Sequence, residues 1–248
     1  MSVDPRWHES FFESDEWLLL ATTRDPERTA QEVAFIAEQL PAGGRVLDLA
    51  CGTGRIAIPL AAKGFDVAGL EISERALGVA RAVAPELDLR RGDLRDLPWP
   101  DASFDAAINV WTAFGYYPTQ VEDEQALSEV ARVLRPGGVF LVDTVNPIGL
   151  ARVFRPQDWQ ELEDGTLMLE QRSFDLPSGR LRAHWTFAKP DGTRRTLSFE
   201  HRAYTAAEYA DLLRRAGLEP VRWFGGLDGS ELGLDTWRLV AVAERRPG

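Results

Sequence analysis

Short apolar runs alternate with longer stretches in which apolar residues recur every three or four positions, from about residue 31 to residue 142. Val46-Leu47-Asp48-Leu49 and Val67-Ala68-Gly69-Leu70 are almost wholly apolar and end beside an acid. Runs of this kind read as strands covered on both faces. Between them lie helical periods. Asp25-Pro26-Glu27 is a helix start, with Asp25 as cap and Pro26 at the first position, and Val33, Ile36, Ala37 and Leu40 share one face. A second helix is predicted from Arg55 to Lys63. Strands alternating with helices imply a parallel sheet with right-handed crossovers. From about Gly165 the period drops to two. Residues 166–175, 180–189 and 193–204 alternate like strands, separated by Asp164-Gly165, Ser178-Gly179 and Asp191-Gly192. This predicts an inserted antiparallel meander. Thr205-Ala206-Ala207-Glu208 then forms a capping box for a helix ending near Gly217, and residues 221–224 and 238–243 add a strand pair. At the other end, Trp7, Phe11, Phe12, Trp17 and Leu18 have the spacing of a single helix.

The chemistry concentrates where the first strand ends. Asp48 is followed by Ala50-Cys51-Gly52-Thr53-Gly54-Arg55, a tight loop leading into a helix. Glycines there remove the Cβ atoms that would keep a ligand off the backbone, and a helix N-terminus presents unpaired N–H groups. The pattern indicates a nucleotide-type cofactor. Gly52-Thr53-Gly54-Arg55-Ile56-Ala57 also fits the dinucleotide fingerprint, with Glu71 about twenty residues on. Asp48 argues against that reading, because a carboxylate just before the glycines repels a pyrophosphate. A cofactor carrying an ammonium and a sulfonium meets no such penalty. Asp48, Glu71, Asp93 and Asn109 all fall at predicted carboxyl ends of strands, where ligands bind on open parallel sheets.

The stretch from Val46 to Arg55 resembles motif I of the class I S-adenosylmethionine-dependent methyltransferases. The resemblance continues in order: Val67 to Ser73 is similar to the second motif, Arg91 to Pro98 to the loop after the third strand, Phe104 to Val110 to the fourth strand, and Leu134 to Val142 to the entry into the fifth. Trp111-Thr112-Ala113-Phe114-Gly115-Tyr116-Tyr117 resembles a bacterial group of small-molecule methyltransferases that includes sugar N-methyltransferases. The resemblance implies an α/β fold: a doubly wound, seven-stranded, mostly parallel Rossmann-like sheet whose last strand is antiparallel, with the meander inserted. It implies one domain over 1–248, divided into an N-terminal lid helix (1–24), a cofactor-binding core (25–146), an antiparallel insert capping the substrate (147–204) and a final helix and strand pair (205–248). It implies S-adenosyl-L-methionine as cofactor and S-adenosyl-L-homocysteine as product. Glu71 is then expected on the ribose hydroxyls with Ile72 against adenine, and Asp93 on the adenine amine with Leu94 beside it. Trp17, Asp48, Ala50, Gly52, Gly54, Arg55, Asn109 and Val110 complete the expected cofactor contacts. The acceptor pocket is expected around Trp111, Phe114, Tyr117 and Asn146, with Tyr116 and His201 as candidate catalytic groups. His184, Trp185 and Asp143 are further candidates, and His8 is expected on the surface.

Composition narrows the function further. The chain has 248 residues, 44% of them hydrophobic, which suits one α/β domain with an elaboration. Its net charge of −11 and the sequence Asn109-Val110-Trp111-Thr112, where amino-methylating nucleic-acid enzymes carry Asn/Asp-Pro-Pro-aromatic, point away from nucleic acid. No apolar run approaches the ~20 residues of a membrane span. The acidic, aromatic stretch from Met1 to Glu16 is unlike a signal peptide. The cytoplasm is therefore the default location. A single cysteine, Cys51, leaves no basis for a disulfide framework or a cysteine-rich metal site, and no metal is expected. The expected partner is a small-molecule acceptor, attacked through nitrogen or oxygen; monomer and homodimer both remain open. Two other functions compete with this one, a cofactor-binding regulator without turnover and a nicotinamide oxidoreductase.

Overall fold

The computed structural model describes residues 3–4, 6–23 and 25–247, so Met1, Ser2, Pro5, Arg24 and Gly248, including part of the expected lid, lie outside the described residues. Strand β1 (Arg45–Leu49) runs through the centre of a seven-stranded sheet. It pairs in parallel with β2 (Asp66–Glu71) on one side and β4 (Phe104–Asn109) on the other. Beyond β2 lies β3 (Asp88–Arg91); beyond β4 lies β5 (Leu134–Val145), again parallel. The last strand, β11 (Arg238–Arg245), inserts antiparallel between β5 and β10 (Leu218–Phe224). This is the Rossmann-like methyltransferase sheet that the sequence implies. The chain leaves β1 in opposite directions, so its carboxyl end is a topological switch point, where a crevice opens for a ligand.

Both faces of the sheet are covered, which is why its strands are nearly continuous apolar runs. Val46, Ile108 and Leu141 point to one layer with Ile36 and Leu60; Leu47, Phe104 and Phe140 point to the other with Leu127 and Tyr209. Helix α3 (Pro26–Gln39) starts as predicted: the Asp25 side chain accepts from the Glu27 N–H, and Val33 and Ile36 are buried. The capping box at Thr205 is formed and opens α8 (Ala206–Arg215). Helix α4 (Ala57–Ala62) is shorter than predicted. The residues from Gly52 to Ile56 are turn, because the chain must first round the glycine loop before it can close a helical ring.

The insert departs from the predicted meander in one respect. It has four strands, β6 (Gln157–Glu161), β7 (Leu167–Asp175), β8 (Arg180–Ala188) and β9 (Arg194–Arg202), in a separate antiparallel sheet. Strand β6 is the one that the periodicity did not reveal. As an edge strand it is mostly exposed, so it carries no buried alternation. The N-terminal segment also differs: it is two helices, α1 (Trp7–Phe11) and α2 (Asp15–Thr22), and not one. Ser14 breaks it by capping α2, accepting from the Trp17 N–H at 3.2 Å. Trp7 and Phe11 bury themselves against Met168, Phe187 and Leu197 of the insert, forming a third apolar cluster. On the other side Glu13 accepts from the Glu74 N–H at 2.8 Å, and Asp15 pairs with Arg75, both at the start of α5 (Glu74–Val83). The N-terminal helices thus bridge the insert and the carboxyl edge of the parallel sheet.

Candidate active site

A cleft of about 220 Å³ opens at the switch point, between that carboxyl edge, the N-terminal helices and Trp185 of β8. Its floor is the loop after β1. Ala50 and Gly52 both take positive φ (59° and 57°) to turn the chain sharply under the cleft, and Trp17 is the nearest group above Gly52. Gly54, expected to touch the cofactor, is not among the described wall residues; its role is structural, since a Cβ there would lie 2.7 Å from Ile58.

Asp48 and Glu71 end adjacent strands and both reach the wall. The Glu71 carboxylate is held by three backbone N–H groups: Gly52 donates to Oε2, and Ile72 and Ser73 donate to Oε1, each at 2.9 Å. The Gly52 N–H expected to face a ligand is therefore engaged, and orients Glu71. Burial raises the Glu71 pKa, and these three donors oppose it. Asp48 is less well supplied. It is 1% exposed and its Oδ1 has no partner. Burial raises its pKa to about 7, with Glu71 adding to the effect and Arg55 and the Ala57 N–H opposing it. A buried carboxyl with no direct ion pair among the described residues and one oxygen unpartnered, at a cleft, suits a ligand that brings the positive charge. The ammonium and sulfonium of S-adenosylmethionine meet that requirement; a pyrophosphate does not.

At the far end Asp93 accepts from the Tyr117 hydroxyl at 2.7 Å and from the Arg95 N–H and guanidinium at 2.7 to 3.0 Å. Burial pushes the Asp93 carboxyl up, but these bonds outweigh it and hold the pKa below the usual value. Ile72, Leu94 and Tyr117 line the same end. His8 of α1 does too, which corrects the expectation of a surface histidine: it is 8% exposed and its ring meets Tyr117 edge-on. Phe12, four residues on at the C-cap of α1, lines the cleft as well, and that spacing is the signal in the sequence that could have found His8.

The opposite end is aromatic. Val110, Trp111, Ala113 and Tyr116 come from the loop after β4, with Phe12 and Leu20 above them. Trp111 and Thr112 both have positive φ (62° and 63°), a costly conformation for non-glycine residues. It is fixed by a buried pair: Arg238 grips Asp143 through Nε at 2.8 Å and through Nη2, while its Nη1 donates to Thr112 Oγ1 at 2.7 Å. Asp143 also accepts from the Trp111 N–H at 2.9 Å. The Trp111 indole donates to Glu32 at 3.1 Å, and Glu32 also receives Arg55 at 2.6 Å. The loop continues to Gly115, which docks on β9 through the Arg202 N–H; a Cβ there would lie 2.3 Å from the Arg202 carbonyl.

Four predicted site residues stand elsewhere. Asn109 turns its amide into the sheet, donating to the Leu49 carbonyl at 3.0 Å. Phe114 packs on Tyr204 and Tyr209 in the core. Asn146 caps the short α7 (Pro147–Val153) and donates to the Gly233 and Thr236 carbonyls. His201 lies behind Tyr116, 6.2 Å between ring centroids, with both ring nitrogens buried and unpartnered. Burial lowers its pKa to about 4, so it is neutral. None of the four is among the described residues that line the cleft. Asp143 is likewise committed to Arg238, and His184 points to the far face of the insert, where it meets Ser198 at 2.7 Å.

Comparison with known proteins decides the family. The methyltransferase-domain family matches residues 46–138. Over 232 residues the chain is 30% identical to the putative methyltransferase YqeM of Bacillus subtilis, covering 87% of this chain and 90% of the relative. The chain belongs to the class I S-adenosylmethionine-dependent methyltransferases. Within that family it is also 30% identical to the dTDP-3-amino-3,4,6-trideoxy-alpha-D-glucopyranose N,N-dimethyltransferase of Streptomyces venezuelae, over 86% of this chain and 92% of the relative. The solved structure of the CcbJ methyltransferase from Streptomyces caelestis superposes with a TM-score of 0.84 at 24% identity, covering 96% of this chain and 99% of that one, and so shares the fold. S-adenosylmethionine is the methyltransferase's cofactor. No helix among the described residues is long and apolar enough to cross a membrane.

Proposed function

We propose that this methyltransferase modifies a small molecule that enters the aromatic end of the cleft and is attacked at nitrogen or oxygen, with a neutral amine favoured. Bound S-adenosylmethionine supplies an electrophilic methyl, which passes to the acceptor by in-line displacement. Glu71 holds the ribose hydroxyls, Asp93 and Leu94 the adenine, and Asp48 the ammonium. Trp17, Trp111, Tyr116 and Trp185 exclude water and align the acceptor. The observation that carries the reading is the make-up of that end. Trp185 also lines the cleft, and its indole Nε1 is buried without a partner, a donor that a polar acceptor could satisfy if the ring shifts toward it. Burial raises the Tyr116 pKa, so its phenol stays protonated and cannot serve as a base. His201 is too far back to take a proton from the acceptor. An end with no base among its described residues suits a nucleophile that arrives with a free lone pair. The amino-sugar N,N-dimethyltransferase of Streptomyces venezuelae, 30% identical to this chain, acts on such a group and supports this choice. The insert and the N-terminal helices, as substrate cap and lid, close over both ligands.

The test is turnover with S-adenosylmethionine across a panel of small amines, nucleotide-linked amino sugars and their hydroxyl counterparts. S-adenosylhomocysteine release and a one-methyl mass gain in the acceptor are the readouts. Turnover confined to amines is the expected result. Turnover confined to hydroxyl acceptors would overturn the preference for an amine, turnover confined to carbon acceptors would overturn the nitrogen-or-oxygen assignment, and methylation of RNA or protein alone would overturn the small-molecule reading.

A further inference from the structure

We infer that His8 is a cofactor-binding residue: its imidazole hydrogen-bonds the adenine of S-adenosylmethionine and thereby ties closure of α1 to occupancy of the cleft. The inference rests on the reading that the adenine lies at the Asp93 end. Three observations carry it. His8 lines the cleft beside Tyr117, although it belongs to the N-terminal segment and not to the sheet. Its Nδ1 is buried and has no hydrogen-bond partner in the protein. A buried polar atom left unpaired is costly, so a ligand that pairs it recovers that cost. The third observation is chemical. Ionised Asp93 accepts hydrogen bonds and donates none, so it can satisfy only the exocyclic amine of adenine and not the ring nitrogens, which are acceptors. A neutral imidazole has one donor and one acceptor and can serve either kind of group on the base.

The surroundings keep the ring neutral. Burial lowers the His8 pKa; Arg95 acts in the same direction, while Asp93, Glu9 and Glu122 oppose it, and the ring meets Tyr117 edge-on. The link to closure follows from the position of α1. Trp7 and Phe11, on either side of His8, are anchored in the aromatic cluster of the insert, with Phe11 packed 5.4 Å from Phe199. A hydrogen bond from His8 to the base therefore joins insert, N-terminal helices and cofactor, so an occupied cleft holds α1 more firmly in its docked position.

The experiment measures binding, not turnover. Dissociation constants for S-adenosylhomocysteine and for S-ribosylhomocysteine, which lacks the base, are taken for the native chain, His8→Phe, His8→Asn and Asp93→Asn. His8→Phe should weaken S-adenosylhomocysteine by about 3- to 10-fold, the range for one neutral hydrogen bond, and leave S-ribosylhomocysteine unchanged. His8→Asn, whose amide can occupy the Nδ1 position, should restore most of the affinity. Hydrogen exchange should show S-adenosylhomocysteine protecting residues 7–11 in the native chain and less so in His8→Phe. Equal weakening of both ligands, or no weakening of either, would overturn the role of His8. The Asp93→Asn arm separates the two readings: if it weakens S-adenosylhomocysteine while His8→Phe does not, the adenine site stands and only the histidine fails. If neither does, the adenine does not lie at this end and both fall.

Discussion

The buried carboxyl of Asp48, whose Oδ1 has no partner, should make cofactor affinity pH-dependent, and the size of the effect follows from its environment. In the free protein burial holds its pKa at about 7, with Glu71 adding and Arg55 opposing. The cofactor's ammonium favours the ionised form, so binding expels a proton wherever Asp48 begins protonated. The apparent affinity is the intrinsic affinity scaled by the ionised fraction, which is about one-tenth at pH 6 and about nine-tenths at pH 8. Affinity should therefore rise about tenfold from pH 6 to pH 8 and level off above that. The sign is that of a raised acid. Ionising Asp48 costs the cofactor-free protein stability as pH climbs from the ordinary carboxylate range to about 7, and the cofactor restores it. Isothermal titration with S-adenosylhomocysteine from pH 5.5 to 8, in two buffers of different protonation enthalpy, measures both the slope and the released proton. Asp48→Asn should remove the slope. Equal affinity at pH 6 and pH 8, or an unchanged slope in Asp48→Asn, would refute the reasoning.

Other substitutions test separate parts of the site. Glu71→Ala should weaken S-adenosylmethionine by about 1.5–3 kcal/mol, as expected for loss of charged hydrogen bonds, and titration calorimetry reads it directly; unchanged affinity would remove Glu71 from the ribose. Arg238→Met leaves Asp143 buried without its counter-charge, so urea unfolding should show a loss of about 3–5 kcal/mol, and a change under 1 kcal/mol would mean that the pair does not hold the Trp111 loop. Deleting residues 1–20 should leave helical and sheet circular dichroism largely intact while abolishing most turnover, because the cleft then admits water; full turnover would reduce the N-terminal helices to packing.

The parallel core was legible because its signals are local. Asp25 with Pro26, and Thr205 with Glu208, mark helix starts within four residues, and β1 and β2 announce themselves as runs buried on both faces. The acids at the strand ends were legible for the same reason: a carboxyl end is a position along the chain. What escaped depends on pairs far apart in sequence. Asp143 meets Arg238 across 95 positions, and Asp93 meets Tyr117 across 24. Asn146 with Pro147 carries the same local cap signal as Asp25 with Pro26, but that its amide also goes to the Gly233 and Thr236 carbonyls shows only when the loop before β11 is seen to pass beside it. His201 and Trp185 both lie on strands of the insert, but only the register with its neighbours and the docking of Tyr116 decide which of them reaches the cleft. His8 needed the docking of α1 on the insert as well, which rests on aromatic packing and not on the sheet.

The most direct test of the account is the crystal structure of the chain with S-adenosylhomocysteine. The account predicts adenine between Asp93, Leu94 and His8, ribose hydroxyls on Glu71, and the homocysteine ammonium within hydrogen-bond reach of Asp48, with the sulfur directed toward Tyr116 and Trp111. Ligand density away from the loop after β1, or an adenine placed at the Trp111 end with the amino acid beside Asp93, would contradict it.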